Sequence, residues 1–149
     1  MEIKIETASI RLLDKLCEIE EQCFDQEAFT KRQIAYLLAD YNTIALVAKA
    51  DSDIAGFIIS QVEIENNTLF AHIITINVAL PYRRKGIARR MLKETEDILK
   101  QKSIGECHLE VREDNSAALK LYLNSGYQKI SKLEKYYGKK HGLYLKKTL

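Results

Sequence analysis

Two hydrophobic periods take turns along this chain, and the switches between them mark its elements. Residues 2–7 set Ile3 and Ile5 on one side, a period of two that predicts a short first strand. After Ser9 the period lengthens. Leu12, Leu13, Leu16 and Ile19 form one apolar stripe, which predicts a helix capped by Ser9 and running to about Phe24. Thr30 with Gln33 has the form of a capping box, so a second helix is expected through Asp40. β-Rich stretches at 43–50 and 54–64 flank Asp51-Ser52-Asp53, a hairpin signal, and Glu65-Asn66-Asn67 supplies the next turn. Residues 69–78 are apolar on both faces, as a central strand covered on both sides would be. Pro81 ends that strand. Between about Gly86 and Lys102, Ile87, Ala88, Met91, Leu92, Thr95, Ile98 and Leu99 recur at helical spacing. A short strand is expected at 106–111, then a helix from Asn115 to about Asn124 with Gly126 as its stop signal. Two last strands, about 127–136 and 142–148, flank Gly138-Lys139-Lys140-His141-Gly142.

The resulting order, β-α-α-β-β-β-α-β-α-β-β, mixes meander with strand–helix units. It predicts an α+β fold: a mixed, mostly antiparallel seven-stranded sheet flanked by about four helices on both faces, not a doubly wound one. A length of 149 residues with 46% apolar content suits a single domain over 1–149.

Charge narrows the partners. With 23 basic and 21 acidic residues the chain lacks the basic excess of a nucleic-acid binder, so any anion site must be local. Cys17, Cys23 and Cys107 are odd in number and form no C-x-x-C. Neither a disulfide framework nor a zinc spacing is readable, and core thiols in a reducing cytoplasm are expected. The start lacks the apolar core of a signal peptide, and the run from Ile73 to Leu80 is too short to span a bilayer. A cytoplasmic protein without a membrane role is the expectation.

The local anion site is expected between Val78 and Arg90. There a strand ends, a tight loop carries Arg83, Arg84, Lys85 and Gly86, and a helix begins. Backbone N–H groups at a helix start are unpaired donors, and the helix dipole there favours negative charge. Glycine lets a phosphate approach such a backbone closely. Basic residues alone would be an ordinary solvated turn; the succession of strand, proline, basic turn, glycine and helix points to phosphate. No G-x-x-x-x-G-K-[ST] and no G-x-G-x-x-G after a strand occurs, so a P-loop or a Rossmann turn is not the site.

Ile76-Asn77-Val78-x-x-Pro81-x-Arg83-Arg84-Lys85-Gly86-Ile87-Ala88 resembles the signature of the GNAT superfamily of N-acetyltransferases, Q/R-x-x-G-x-G/A, with Arg83, Gly86 and Ala88 at its defining positions. The resemblance implies the GNAT fold, acetyl-CoA as co-substrate and no metal. It implies that backbone amides from Arg83 through Arg89 hold the CoA pyrophosphate, and that Ile76, Asn77 and Val78 run beside the pantetheine arm. Leu109-Glu110-Val111-Arg112-x-x-Asn115-x-x-Ala118-x-x-Leu121-Tyr122-x-x-x-Gly126-Tyr127 is similar to the RimI-type enzymes, which acetylate protein N-termini, ribosomal ones included. Ala71-His72-Ile73 and the segments Lys135-Tyr136-Tyr137-Gly138 and Tyr144-Leu145 also resemble the catalytic subunit of NatA-type enzymes.

The same resemblance distributes roles. Tyr122 takes the place of the acid near the CoA sulfur, and Asn115 a CoA contact, although a plain helix cap explains Asn115 equally well. Three residues compete as the base that frees the amine: Glu110, His72 and Glu27. Alternation sets Glu106, His108 and Glu110 on one face of their strand, opposite Cys107, Leu109 and Val111. Glu27 and Phe29, between the first two helices, and Tyr137 take the substrate-peptide positions. At Gln26-Glu27-Ala28-Phe29 both the NatA-type proline and the RimI-type Pro-Trp are missing. Lys129, Lys132, Lys135, Lys139, Lys140, Lys146 and Lys147 form a basic tail region, a solvated face or a docking aid. The expected partners are protein N-termini, with room for an auxiliary subunit that nothing in the sequence calls for. Two other functions fit the residues: the same chemistry on lysine, polyamine or another small amine, and a CoA-binding regulatory module without catalysis.

Overall fold

The chain's two apolar periods resolve into one sheet and two helical layers. The structure is a computed structural model that describes residues 2–24, 26–138 and 140–149. Strands β1 (Ile3–Thr7), β2 (Thr43–Ala50), β3 (Asp53–Glu65) and β4 (Thr68–Val78) form an antiparallel meander. β5 (Glu106–Arg112) then runs parallel to β4, and the hairpin of β6 (Gln128–Tyr137) and β7 (Lys140–Thr148) joins it through β7. The sheet order is β1-β2-β3-β4-β5-β7-β6, so the strand that is apolar on both faces is the central one, as expected. Helices α1 (Leu13–Cys23) and α2 (Lys31–Ala39) cover one face over Val47, Phe57 and Ile59. Helices α3 (Ile87–Gln101) and α4 (Ser116–Asn124) cover the other over Ile58, Ile73 and Leu109. Among the described residues no helix is long and apolar enough to cross a membrane.

Local chemistry explains the boundaries. The capping box holds: Thr30 Oγ1 accepts from the Gln33 N–H at 3.1 Å, and Gln33 Oε1 accepts from the Thr30 N–H at 2.8 Å. Ser9 caps something tighter than expected. Its Oγ accepts from the Arg11 N–H only two residues on, which closes a 3-10 turn over Ile10–Leu12 and delays α1 to Leu13. The last hairpin turn is shorter than its sequence suggests. Lys135 adopts a positive φ and donates its N–H to His141 Nδ1 at 2.9 Å, so a register shift inside β6 absorbs the spare residues. Lys139 in that turn lies outside the described residues. Gly56 of β3 has a packing reason: a Cβ there would stand 2.4 Å from the Asn77 carbonyl oxygen and 3.2 Å from the Met91 methyl. The basic tail region is only partly solvated, since Lys147 forms a half-buried ion pair with Glu96 at 2.7 Å.

Two irregularities in β4 build the site. The register with β3 runs Ile59–Thr75 and then Ser60–Ile73, so Ile74 is a bulge residue. The bulge shifts the phase of the strand. Ile73, Ile76 and Val78 pack toward α3, while Thr75 and Asn77 turn toward α1. The second irregularity is that β4 and β5 pair only at Ala71–Cys107 and His72–His108. Beyond that point they part, and among the described residues β4 from Ile73 onward has no strand partner on its β5 side.

Candidate active site

The parting strands open into a cleft of about 1070 Å³. β4 contributes His72 to Ile76, β5 contributes Leu109 to Arg112, and α4 contributes Tyr122. Glu27 and Phe29 of the α1–α2 loop and Tyr136 and Tyr137 of β6 form the far wall. A cleft at the point where parallel strands diverge has backbone groups free to bind an extended ligand.

His72 and Glu110 sit at the apex and meet there. His72 is in the last pair of the β4–β5 ladder, opposite His108, and Glu110 is the next residue on the same face of β5. His72 Nε2 lies 2.8 and 3.1 Å from the two Glu110 oxygens, and Nδ1 lies 3.0 Å from Glu63 Oε2. Two residues that the sequence offers as rivals are therefore one hydrogen-bonded pair. Burial alone would push the His72 pKa down; hydrogen bonding and charge from Glu110, then Glu63, outweigh it and raise the pKa above the ordinary value. The Tyr136 hydroxyl donates to Glu110 Oε1 at 3.4 Å. Neighbouring His108 belongs to another cluster, stacked on Phe70 and hydrogen-bonded to the Tyr144 hydroxyl. Burial lowers its pKa below the ordinary value, against the opposing pull of Glu106. The two carboxylates approach His72 from opposite sides of the ring, and no group of three or more His, Cys, Asp or Glu among the described residues converges to hold a metal.

The third base candidate is placed differently. Glu27 Oε1 accepts from Arg112 Nη1 at 3.1 Å, and Arg112 also grips Asp114 through two hydrogen bonds of 2.8 and 3.0 Å. Nearby is a carboxylate of α1 that sequence reasoning missed. Glu20 is 1% exposed and accepts from the Phe29 N–H at 3.1 Å, the Thr75 hydroxyl at 2.8 Å and Asn77 Nδ2 at 3.0 Å. It ties the α1–α2 loop to the bulged part of β4. Burial raises its pKa. The available signal was a carboxylate on the apolar stripe of an amphipathic helix, where only a hydrogen-bonded one is tolerated.

The basic loop fits an anion through its backbone. Arg84 and Gly86 both have positive φ, and Gly86 caps α3 without a side chain. A Cβ at Gly86 would meet no heavy atom within 4 Å, so space lies in front of the first amides of α3. Several side chains of the loop and the strand before it are engaged within the protein. The Ile87 side chain is 2% exposed and belongs to the core, which leaves only its N–H for a ligand. The Asn77 side chain is turned to Glu20 and Thr75. Arg83 bends back: its Nε donates to the Val78 carbonyl at 3.0 Å and its Nη2 to Cys23 Sγ at 3.3 Å. Asn115 caps α4, its Oδ1 accepting from the Ala118 N–H at 3.2 Å, and also lines the cleft. Tyr122 is 5% exposed at the cleft floor, and burial drives its phenol well above the ordinary range. Tyr137 is pushed up in the same way.

The sequence model of the acetyltransferase (GNAT) family matches residues 11–127. The chain belongs to that family. It is thus an acetyltransferase, and the GNAT fold expected from its loop is the fold observed. An N-alpha-acetyltransferase from Sulfurisphaera tokodaii is 30% identical over 117 residues, covering 72% of this chain and 70% of the relative. The [ribosomal protein bS18]-alanine N-acetyltransferase of Escherichia coli K12 is 35% identical over 83 residues, 56% of this chain and 53% of the relative. Among solved structures, a chain of the NatC complex bound to Gag peptide and CoA superposes with a TM-score of 0.91 at 23% identity, covering 100% of this chain and 99% of the other.

Proposed function

We propose that this acetyltransferase moves the acetyl group of acetyl-CoA onto the α-amine of protein N-termini, those of ribosomal proteins among them. The observation that carries the reading is the His72–Glu110 pair at the apex of the β4–β5 wedge, open to a cleft walled by Phe29, Tyr136 and Tyr137. The relatives named N-alpha-acetyltransferase support the choice of acceptor. Three free cysteines suit a reducing, cytoplasmic setting.

The chemistry follows from the groups in the cleft. An α-ammonium has a pKa of roughly 8, so a modest base suffices to free its lone pair near pH 7. The Glu110–His72 pair takes that proton. The amine nitrogen then bonds the thioester carbon, and the unpaired β4 edge beyond His72 offers N–H donors where negative charge develops on oxygen. As the tetrahedral centre collapses, the C–S bond breaks and the nitrogen loses its second proton. One proton ends on the CoA thiol and one passes to solvent. Tyr122 faces the leaving sulfur as a hydrogen-bond donor. Its raised pKa keeps the proton on the phenol, because a thiol near 8.5 is the stronger acid. The amides from Arg83 to Arg89 hold the pyrophosphate at the start of α3, and Ile76 and Val78 flank the pantetheine arm. Glu27, Phe29 and Tyr137 guide the incoming peptide.

The test is a peptide library incubated with acetyl-CoA, with the acetyl group located by mass spectrometry. Peptides with a free N-terminus are expected to gain the group, and the same peptides with a blocked N-terminus and a free lysine are not. The reverse preference, or greater turnover of spermidine, would overturn the choice of acceptor.

A further inference from the structure

His72 does not face Glu110 alone. The residues diagonal to it on both neighbouring strands are acidic. Gln61 of β3 is its direct partner, which sets Glu63 diagonally beside it, and His108 of β5 is its partner on the other side, which sets Glu110 diagonally there. The ring lies between them, with Nδ1 at 3.0 Å from Glu63 and Nε2 at 2.8 Å from Glu110. Exposure rises along this line. The Glu110 side chain is 17% exposed, His72 27% and Glu63 40%. The line therefore runs from the cleft apex to the surface of the sheet.

We propose that Glu63 is a positioning residue for acetyl transfer: it holds the one remaining proton of neutral His72 on Nδ1, so that Nε2 and Glu110 together stand ready to receive the proton the amine sheds. The inference rests on the reading of Glu110 and His72 as the base. The 2.8 Å contact of the empty cleft has a proton between Nε2 and Glu110. In the receptive state that proton has left, Nδ1–H donates to Glu63, and Nε2 and Glu110 are two free acceptors for the amine's proton to bridge. When the ammonium gives up its proton, Glu110 and Nε2 share it, and His72 becomes an imidazolium flanked by two carboxylates. Glu63 stabilises that cation and, as the more exposed partner, passes the Nδ1 proton to solvent while Nε2 retains the other. The ring, then neutral with its proton on Nε2, regains the starting tautomer by exchange with solvent: Nδ1 takes up a proton through Glu63 and Nε2 gives one up, so that one proton in all has passed from the amine to solvent. No co-reactant is consumed beyond the amine and the acetyl donor. A carboxylate that fixes a histidine tautomer and stabilises the imidazolium is the logic of a hydrolase triad, here with a second carboxylate at the receiving nitrogen.

Among the described residues, the groups around His72 are few. They are Glu63 on β3, His108 and Glu110 on β5, Tyr136 on β6 and Tyr144 on β7, with Glu20 and Glu27 on the α1 side. Glu20 is held by Phe29, Thr75 and Asn77, and Glu27 by Arg112, so neither competes for the ring. The midpoint of His72 therefore reports the charges of Glu110 and Glu63 beside its ring.

Glu63→Gln tests the idea, because glutamine can still accept from Nδ1–H but carries no charge. The first readout is the nitrogen spectrum of His72, recorded across pH on the wild-type protein and the variant without any acceptor. In the wild type the neutral ring is expected as the Nδ1–H tautomer. In Glu63→Gln the midpoint is expected to move to lower pH and the tautomer toward Nε2–H. A neutral ring that is already Nε2–H in the wild type, or spectra that do not change, would overturn the proposal. The second readout is kinetics with the most readily acetylated peptide of the library. Glu63→Gln should lower kcat roughly tenfold, a fraction of what a general base contributes, and leave the peptide KM unchanged. The acid limb of the profile should shift to lower pH, and Glu63→Asp should recover most of the rate. Wild-type kcat and limb in Glu63→Gln would also overturn it. Failure of the library to accept acetyl on free N-termini would count against the proposed acceptor alone, since the spectra decide the role of Glu63 independently.

Discussion

Glu110 and Glu27 look alike in the sequence and differ in the fold. Both are carboxylates on the wall of one cleft, and both are partly shielded from solvent. Glu110 is paired with an imidazole that can gain and lose a proton near neutral pH. Glu27 is paired with a guanidinium that cannot. Hydrogen bonding to Asp114, outweighing burial and joined by Glu27 itself, drives the Arg112 pKa still further up. The partner, more than the carboxylate, decides which of the two handles protons. In the proposed mechanism Glu110 belongs to a relay, while Glu27 belongs to a brace that holds the α1–α2 loop against the end of β5.

The widest test acts on a feature both regions depend on, the arrival of the acetyl donor at the apex. Gly86→Glu is expected to abolish acetyl-CoA binding in calorimetry. A side chain is strained at this positive φ, and it would fill the free space at the α3 amides with negative charge. Unchanged affinity in a folded Gly86→Glu protein would remove the pyrophosphate site from this loop, and with it the reason to place chemistry at the wedge.

The next test separates the two carboxylates. Glu110→Gln should lower kcat by about 100-fold or more, as expected for loss of a general base, with acetyl-CoA affinity unchanged. The pH profile should change with it. In the wild type, activity needs the cluster to have room for a proton, so kcat/KM rises as pH climbs through the raised His72 pKa. Stability runs the other way. The raised folded pKa means that the His72 ion pairs stabilise the protein fully below its unfolded value of about 6.5, and that this contribution fades as pH rises through the folded value. A Tm measured across the same range should record the fading while the rate increases. A Glu110→Gln enzyme with near-normal kcat would place the base elsewhere.

Much of this site was legible in the sequence, but not its central contact. The loop around Gly86, the cap at Asn115 and the capping box at Thr30 are local devices, each settled by residues a few positions apart. His72 and Glu110 were each visible as candidates. Their contact depends on the parallel register between β4 and β5, which are separated by the whole of α3, and nothing local encodes it. The bulge at Ile74 carries no glycine or proline to announce it, yet it turns Asn77 toward α1. Glu63 alternates with Glu65 near the end of β3 and looks like any solvent-facing acid. Its role appears only when His72 is placed diagonally beside it. Glu20 could be read as out of place on an apolar stripe, but its three donors come from a loop and a strand far away in sequence.

The smallest expected effect is also the one that could erase the contrast. In Glu27→Gln the amide oxygen can still accept from Arg112, and Arg112 keeps both hydrogen bonds to Asp114. The lost charge pair is more than a quarter exposed on each side, so its contribution is about 0.2–1 kcal/mol and the Tm should barely move. Because the cluster at His72 is untouched, kcat should stay within about twofold of wild type and the acid limb should not shift. Any change should fall on the peptide KM, since the brace holds one wall of the peptide's path. A large loss of kcat in Glu27→Gln together with loss of the acid limb would mean that Glu27 leaves Arg112 when substrate binds and takes the proton itself. The difference between relay and brace would then be a property of the empty cleft alone.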